Sequence, residues 1–398
     1  MRLRAGPPAL LLLALGAILW LTLEPLPAQA EATQLSPWNC LFCGTQGSAD
    51  FLLNIALFVP LGAALAWLGA RRLKVLVLGT ALSLAIELAQ ATLVSGRDPA
   101  FGDVVANGLG ALAGASLVLA LPGLWYPSTT RARRLATAAG LGWLLLTIVT
   151  GWLVLPVPMP SQPIVLVAPD RPLVEAFAGR VLGVAVDSQP LRLNARVVTG
   201  ALTERVAPLV ELTYPDSTVW ARLAQLGQKG TFAVRLNSTR FRLMTPEVRV
   251  HRAIPMTGSI PADFSGMLEN AVLTVEVTVA DSTHVHQRAL TPGLGWALLL
   301  PFNYPLDHMG LWPSAIWLAL TLLPFAFWLG RARLSTAWHV GLGVAVLALG
   351  INLSTWLFGL QSDGIPAWIC CGTAFLVGRA LGLAGLHHEG TKDAKAPY

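Results

Sequence analysis

Charged residues are scarce in this chain, and their scarcity argues against a soluble protein. Only 12% of the 398 residues are Asp, Glu, Lys or Arg, whereas 54% are hydrophobic. A soluble domain carries roughly a quarter charged residues. The mean hydropathy is +0.61, and several apolar runs are long enough to cross a hydrocarbon core of about 30 Å. These features predict a polytopic α-helical membrane protein.

Cysteine is also rare, with four residues in all. Cys40 and Cys43 form a C-x-x-C in a loop, without the βαβ context of a redox motif or two further ligands for zinc. We interpret them as a disulfide candidate and predict no metal and no cofactor. Cys370 and Cys371 lie in an apolar run and are expected to pack in a core.

Acidic residues are fewer than basic ones, 21 against 27, which gives a net charge of +6. The basic residues cluster in short loops between apolar runs, as topology signals do, so we expect no nucleic-acid partner. We expect the protein to contact membrane lipids, while its oligomeric state stays open. The clusters all fall on one side if each run spans once. The positive-inside rule then predicts that this side is the cytoplasm and that both termini lie there.

About eight spans are predicted, and they divide the chain into five parts. The first run either is a secretory signal ending in A-x-A or is retained as a helix. We favour a retained helix, because the apolar part is long and Ala30 lies well past its end. The parts are 1–134 with four spans, 135–156 with the fifth, 157–292 as a β-rich domain, 293–386 with three spans, and 387–398 as a tail.

The β-rich part alternates apolar and polar residues in segments such as "AVLTVEVTVA", which are separated by turn residues. This pattern predicts a β-sandwich, and the number of preceding spans places it outside the cytoplasm. His284 and His286 share a strand face that we expect to be solvated. Trp220 is expected to pack in the core, although an aromatic ring can also stack on a sugar.

An internal repeat is suggested by the apolar runs on either side of the β-rich part. Pro60 aligns with Pro324 at an offset of 264 residues, and "AIELAQ" meets "GINLST" at 265. Residues 293–386 are therefore a possible degenerate copy of residues 50–121. In that copy, Glu87 is replaced by Asn352 and Gln90 by Thr355.

Three consecutive spans of the first copy each carry an acid and an amide, three or four residues apart, near the outer end. Such spacing places both members on one helix face. Ionisable groups inside spans usually mark a site, but amides also join helices by hydrogen bonds, and both interpretations stay open. The candidate ligand-binding residues, including two in the loop between the third and fourth spans, are Asp50, Asn54, Glu87, Gln90, Arg97, Asp98, Asp103 and Asn107.

These residues stand in an order that resembles the VanZ-like family, in "DFLLNIALFVPLG" and "SLAIELAQATLVSGRDPAFGDVVANGLGALAGA". The resemblance covers about residues 8–121 and includes four positions interpreted as structural: Pro60, Gly62, Gly108 and Gly114. It implies a cell-envelope protein linked to teicoplanin-type glycopeptide resistance or to exopolysaccharide handling. A weaker resemblance, in "ARLAQLGQKGTFAVRLNSTRFRL", implies a concanavalin-like or laminin-G-like sandwich.

Three functions are compatible with the sequence. The first is a non-enzymatic protein that binds a lipid-linked or surface glycan, with a head group in the membrane site and sugar on the β domain. The second is a membrane-embedded enzyme with Glu87 as general base, although no established catalytic motif is present. The third is a small transporter, against which the position of the polar residues near one surface counts. We favour the first.

Overall fold

The computed structural model describes residues 6–24, 40–42, 44, 46–94, 99–170, 174–256, 259–300 and 309–393, with side chains described up to residue 384. Eight α-helices in these ranges are long and apolar enough to span a membrane, which confirms the predicted fold class. The helices are α1 (Gly6–Leu23), α2 (Gly47–Trp67), α3 (Arg72–Leu93), α4 (Phe101–Trp125), α5 (Thr129–Leu153), α6 (Trp312–Arg331), α7 (Thr336–Phe358) and α8 (Gly364–Asp393).

The described residues between α5 and α6 contain ten β-strands, in the region that the alternating pattern predicts to be β-rich. They are β1 (Ile164–Val167), β2 (Arg180–Ser188), β3 (Leu191–Val198), β4 (Ala207–Thr213), β5 (Val219–Leu226), β6 (Lys229–Val234), β7 (Val248–Val250), β8 (Pro261–Glu269), β9 (Val272–Val279) and β10 (Ser282–Ala289). They form two antiparallel sheets, in the orders β1-β4-β5-β6-β7 and β10-β9-β8-β3-β2. A short 3-10 helix, Pro292–Leu298, follows β10.

The chain divides into two compact units. The N-terminal unit comprises residues 1–128 and 240–244, and the C-terminal unit comprises residues 129–239 and 245–398. The fifth helix thus groups with the sandwich and the last three helices. It begins at Thr129, before the predicted start at residue 135, so the basic residues Arg131, Arg133 and Arg134 lie within its first turns.

Glycines set the packing of the N-terminal unit, where α2 lies mainly against α4. A Cβ atom on Gly110 would overlap the carbonyl oxygen of Ile55, and one on Gly114 would overlap that of Val59. Gly62 of α2 meets the backbone of α4 in the same way. Small residues that let helix backbones approach closely are a common basis of helix association in membranes.

The first helix joins this unit through its apolar face. Ala14 and Ile18 of α1 form one buried cluster with Phe58 and Leu61 of α2 and Ile86 of α3. The rest of α1 is largely exposed, as expected of a helix whose other side faces lipid.

In the C-terminal unit, α6 packs mainly against α8, while α5 packs against α6 and α7. Trp143 of α5 lies against Gly350 of α7. Its indole Nε1 donates to the carbonyl oxygen of Leu318 in α6 at 3.1 Å. One aromatic side chain therefore fixes α5 between two neighbours.

The sandwich closes over a core in which glycine on one sheet admits a large side chain from the other. Gly266 of β8 lies against the ring of Phe232 in β6, and Gly230 of β6 lies against Val277 in β9. Phe232 and Val277 are fully buried. The two sheets interdigitate at these positions, as in other sandwich cores.

Hydrogen bonds connect the sandwich to the helices of its own unit. The amide nitrogen of Val157, just after α5, donates to the Arg235 carbonyl at 2.8 Å. The indole Nε1 of Trp220 donates to the carbonyl of Val157, also at 2.8 Å. Trp220 is therefore a buried core residue that connects the sandwich to α5. Between α7 and α8, the Gln361 amide nitrogen donates to the carbonyl of Leu290 at 3.1 Å.

The expectation that His284 and His286 lie on a solvated strand face is wrong. They pair with Val277 and Val275, which are fully buried, whereas the intervening Val285 is exposed. Residues paired across antiparallel strands share a sheet face, so both histidines point towards the sandwich interior. Burial lowers the pKa of His286, and the neighbouring Arg288 lowers it further.

The disulfide candidate lies only partly within the described residues. Cys40 is disulfide-bonded, whereas Cys43 lies outside the described residues. Cys370 and Cys371 are free thiols in α8, and Cys371 is buried in the core formed by α5–α8.

Equivalent glycine contacts support the predicted repeat. A Cβ atom on Gly114 would crowd the Val59 oxygen and the Ala63 nitrogen. Adding 264 to these three numbers gives Gly378, Leu323 and Phe327, and a Cβ on Gly378 would crowd the Leu323 oxygen and the Phe327 nitrogen. The crossings of α2 with α4 and of α6 with α8 therefore use the same three positions.

The α2–α4 crossing predicts a measurable effect of one methyl group. Gly114→Ala should destabilise the protein by about 1–3 kcal/mol, because the added Cβ overlaps backbone atoms that cannot rotate away. Gly16→Ala is the control, because nothing lies within 4 Å of a Cβ at Gly16. Thermal denaturation in detergent measures both variants. Equal melting temperatures for the two variants would contradict the packing described here.

Candidate functional site

A buried stripe on α3 carries the polar residues of the N-terminal unit. Gly79, Ser83, Glu87 and Gln90 are buried, and their spacing of three or four residues places them on one face. The stripe begins at Gly79, which lies against the Cβ of Ala111 in α4. The stripe thus begins at a close helix contact and becomes more polar towards the end of α3.

Glu87 caps the beginning of α4. Its side chain is 2% exposed, and its Oε2 accepts a hydrogen bond from the amide nitrogen of Ala100 at 2.8 Å. Ala100 is the N-cap residue of α4 and has no side chain that can cap the helix. A carboxyl oxygen from α3 therefore satisfies a backbone donor at a helix start, where such donors lack intrahelical partners.

Asn54 and Asp103 join α2 to α4. The Nδ2 of Asn54 donates to Oδ1 of Asp103 at 2.8 Å, and both side chains are half-buried. Asp103 lies in the first turn of α4, where the helix dipole favours a negative charge. An acid and an amide therefore do meet, but they belong to two different predicted pairs, one on α2 and one on α4.

Asn107 and Gln90 join α3 to its other neighbours. The Nδ2 of Asn107 donates to Oγ of Ser83 at 2.8 Å, and the Nε2 of Gln90 donates to the carbonyl of Thr22 in α1 at 2.8 Å. Within the described residues, Oδ1 of Asn107 is buried without a hydrogen-bond partner. We call Asn54, Ser83, Glu87, Gln90, Asp103 and Asn107 the polar layer.

The remaining predicted residues do not enter this layer. Asp50 lies in the first turn of α2 and is exposed. Arg97 and Asp98 lie outside the described residues. Gly108 packs against the side chain of Thr80 in α3, and Pro60 lies within α2 as Pro324 lies within α6.

Two partners were absent from the candidate set. Ser83 is fully buried, and its position four residues before Glu87 places it on the same helix face, so spacing alone could have identified it. Thr22 contributes a backbone carbonyl, which no side-chain pattern reveals.

The polar layer combines two kinds of chemistry. Its three amides each donate a hydrogen bond between helices, as amides commonly do in membrane proteins. Glu87 is used less fully, because an ionised carboxyl group can accept about four hydrogen bonds. Among the described residues, the Ala100 amide is the donor that Glu87 has. Among the same residues, no three His, Cys, Asp or Glu side chains gather as metal ligands.

The corresponding part of the C-terminal unit is arranged differently. Ile351 of α7 is buried like Ile86 of α3, but Asn352 is exposed, and its Nδ2 donates to Ala348 of its own helix at 2.9 Å. The residue aligned with Glu87 therefore points away from the helix contact.

A buried carboxyl group of the C-terminal unit, Asp363, precedes α8. Its side chain is fully buried, and its Oδ2 accepts from the amide nitrogen of Gly293 at 2.9 Å. The side chain of Thr291 is its neighbour and is likewise fully buried. Burial raises the pKa of Asp363 to about 6, and hydrogen bonds from the Thr291 hydroxyl and from the Gly293 amide oppose that rise.

Comparison with known proteins identifies the N-terminal segment. Residues 11–122 match the family model described as VanZ/LLP1, which confirms the VanZ-like interpretation of this segment. The match contains α2, α3 and α4 up to residue 122, and therefore the whole polar layer. No curated protein matches the chain, and no solved structure matches it.

The Asn54–Asp103 hydrogen bond predicts an energetic coupling between α2 and α4. In a double-mutant cycle, Asn54→Ala and Asp103→Ala should couple by about 0.5–1.5 kcal/mol, the usual net value of one hydrogen bond. The control cycle pairs Asn54→Ala with Thr92→Ala, because the hydroxyl of Thr92 bonds Leu88 of its own helix. Chemical denaturation in detergent measures both cycles. Additive effects in both cycles would refute the coupling.

The raised pKa of Asp363 predicts a pH-dependent stability. A carboxyl whose folded pKa exceeds its unfolded value stabilises the fold below about pH 4, and this contribution is lost as the pH rises to about 6. Asp363→Asn should therefore match the unsubstituted protein near pH 4 and melt at a higher temperature at pH 8.

The control for that measurement is Asp216→Asn. The backbone amide of Thr218 hydrogen-bonds Asp216 and lowers its pKa. Removing that charge should give no gain in melting temperature at pH 8. A melting difference for Asp363→Asn that stays constant from pH 4 to pH 8 would contradict the assignment.

Proposed function

We propose that this VanZ-like segment binds the head group of a lipid-linked envelope glycan, with Glu87 as the principal contact. The observation that supports this proposal is a carboxyl group that is 2% exposed and has one backbone donor among the described residues. Ionisable groups at such depth are costly, and their usual role is functional. Sugar hydroxyls and peptide amides are donors that such a carboxyl group can accept from.

The amides and the carboxyl groups of the polar layer have different roles in this proposal. Asn54, Gln90 and Asn107 already donate between helices and hold the layer together. Glu87 and Asp103 lie beside the first turn of α4, where the helix dipole favours negative charge. The ligand would therefore meet the carboxyl groups, and the amides would fix their positions.

The proposed ligand lies in the outer leaflet of a bacterial cytoplasmic membrane. The polar layer is at the ends of α2, α3 and α4 opposite to the basic residues Arg71, Arg72 and Lys74, which lie at the start of α3. Such basic segments favour the cytoplasm, so we expect the polar layer near the external surface. Arg97, outside the described residues, is our predicted contact for an anionic diphosphate.

We favour a binding function over a catalytic one because of the groups that surround the Ser83 hydroxyl. This hydroxyl accepts from Asn107 and has the backbone oxygen of Asp103 as its acceptor at 3.5 Å. A nucleophilic serine requires an adjacent general base, and the acceptor here is a carbonyl. The envelope process that fits a glycan-binding VanZ-like segment is glycopeptide resistance of the teicoplanin type or exopolysaccharide handling.

The test is capture of a fluorescent undecaprenyl-linked disaccharide by the full-length protein in lipid nanodiscs. Glu87→Gln should weaken binding roughly 10-fold or more, because a hydrogen bond to a charged group contributes about 1.5–3 kcal/mol. Gln retains an oxygen that can accept from Ala100, so the variant isolates the charge from the helix cap.

Asn352→Ala is the matched control, because Asn352 aligns with Glu87 in the predicted repeat and bonds only its own helix among the described residues. This variant should bind like the unsubstituted protein. Equal capture by Glu87→Gln, or no capture above that of empty nanodiscs by the unsubstituted protein, would overturn the proposed function.

A further inference from the structure

The C-terminal unit contains a cavity of about 290 Å³ where the end of the sandwich meets the start of α6. One wall is formed by residues 286–289 of β10, which is the edge strand of its sheet. The 3-10 helix contributes Leu294 and Trp296, and the start of α6 contributes Leu311 and Ser314. Small-molecule sites have volumes of about 300–1,000 Å³, so this cavity has the size for a single chemical group.

Hydrogen bonds within the unit fix the walls of this cavity. The indole Nε1 of Trp296 donates to Oγ of Ser314 at 3.2 Å, and both side chains are buried. The amide nitrogen of Leu290, just after β10, donates to the carbonyl of Ala271 at 2.8 Å. The cavity is therefore formed by contacts that need no ligand, as is usual for ligand sites.

Arg288 gives the cavity a buried positive charge. It is 9% exposed, and it lies two residues after His286 on the same strand face. Burial lowers the pKa of His286, and the positive charges of Arg288 and His251 lower it further. Among the described residues that line the cavity, none is Asp or Glu. Cationic groups thus face one another here, and an anion between them would relieve their repulsion.

Arg288 has more donors than a single contact engages. A guanidinium carries five N–H donors in a rigid fork that matches the oxygens of an oxyanion, so a contact within the protein leaves donors for a ligand. The buried carboxyl group of Asp363 accepts from Gly293 in the 3-10 helix and does not line the cavity. An oxyanion in the cavity would therefore meet Arg288 without a carboxylate among the described lining residues.

The cavity lies where α6 begins its apolar run. Trp312, which follows Leu311, is exposed, and tryptophan is enriched at the boundary between hydrocarbon and water. The number of preceding spans predicts that this end of α6 is outside the cytoplasm. Val272 and Leu294 add apolar surface beside the charged groups. Phospholipid head groups combine a phosphate with adjoining apolar chains at this level of a membrane.

We propose that this cavity binds a phosphate group, with Arg288 as its principal contact. Arginine binds phosphate by two parallel hydrogen bonds, which are stronger than those between neutral groups. The positive end of the α6 dipole adds to the attraction. A phospholipid head group and free phosphate share this chemistry and differ in whether acyl chains are needed. The site does not rest on the proposed function, because all its lining residues belong to the C-terminal unit.

The experiment is isothermal titration calorimetry of the full-length protein in an uncharged, phosphate-free detergent. One arm adds inorganic phosphate and the other adds dioctanoyl phosphatidylglycerol, with dioctanoylglycerol as the ligand control that lacks the phosphate. The unsubstituted protein should bind at least one phosphate-bearing probe and should not bind dioctanoylglycerol. Binding of the phospholipid alone assigns a head group, whereas binding of inorganic phosphate as well shows that the acyl chains are not required.

Arg288→Gln should weaken this binding roughly 10-fold or more, because hydrogen bonds to charged groups are the strong ones. Arg192→Gln is the matched control, because Arg192 is exposed on β3, bonds the sulfur of Met267 and does not line the cavity. Ala289→Phe is the second test variant. It fills the cavity while retaining Arg288, so it should also weaken binding even if loss of the guanidinium prevents folding.

Three results would contradict the assignment: no binding of either phosphate-bearing probe, equal binding of dioctanoylglycerol, or equal affinities of the Arg288→Gln, Ala289→Phe and Arg192→Gln variants. Glu87→Gln should bind the probes as the unsubstituted protein does. A failure at this cavity is therefore distinguishable from a failure of the proposed function in the N-terminal unit. Melting temperatures within a few degrees of the unsubstituted protein would show that the cavity variants are folded.

Discussion

The close crossing of α2 and α4 is the constraint on which the polar layer depends. Gly110 and Gly114 leave no room for a Cβ atom, so the two backbones meet near the middle of the helices. From there, α2 runs back to Asn54 and α4 back to Asp103, which brings their side chains to 2.8 Å. An isolated hydrogen bond in a membrane contributes little, about 0.6 kcal/mol on average. Backbone packing therefore sets the position of the polar groups, and their hydrogen bonds add a smaller stabilisation.

Most of the helical architecture could be predicted from the sequence, because a bilayer imposes simple requirements. Every backbone polar group in a hydrocarbon core must be satisfied within the protein, so a long apolar run becomes a helix. The β domain was predictable for a related reason, since alternation of period two specifies a sheet with one buried face. Which face of a given strand is buried was less predictable. His284 and His286 look like solvent-facing residues by polarity, yet Val285 between them is the exposed one. Strand register, which sequence spacing alone does not supply, decides which of two alternating sets is inside.

In the candidate site, too, residue spacing predicted which side chains share a helix face but not which groups they hydrogen-bond. Spacing placed Glu87 and Gln90 on one face of α3, and both are buried. It could not show that Glu87 caps another helix through Ala100, or that Gln90 reaches the Thr22 carbonyl, because backbone partners have no signature in side-chain identity. Of the two interpretations left open by the sequence, interhelical hydrogen bonding is therefore present in the structure, and a ligand site stays a prediction. The three amides are engaged between helices, and Glu87 accepts from the backbone at the start of α4.

The second set of three helices indicates what the fold itself requires. Its crossing at Gly378 uses positions equivalent to those at Gly114, so the close helix packing is present in both sets. At the position aligned with Glu87, Asn352 bonds its own helix and faces outward. The neighbouring Gly350 of α7 lies against Trp143, so α5 occupies that part of the α7 surface. A helix of this kind can thus pack without an inward carboxyl group when another helix covers its face. The buried carboxyl of Glu87 is therefore not a requirement of the close helix crossing, and its role in the fold of this segment is to accept the Ala100 hydrogen bond at the start of α4.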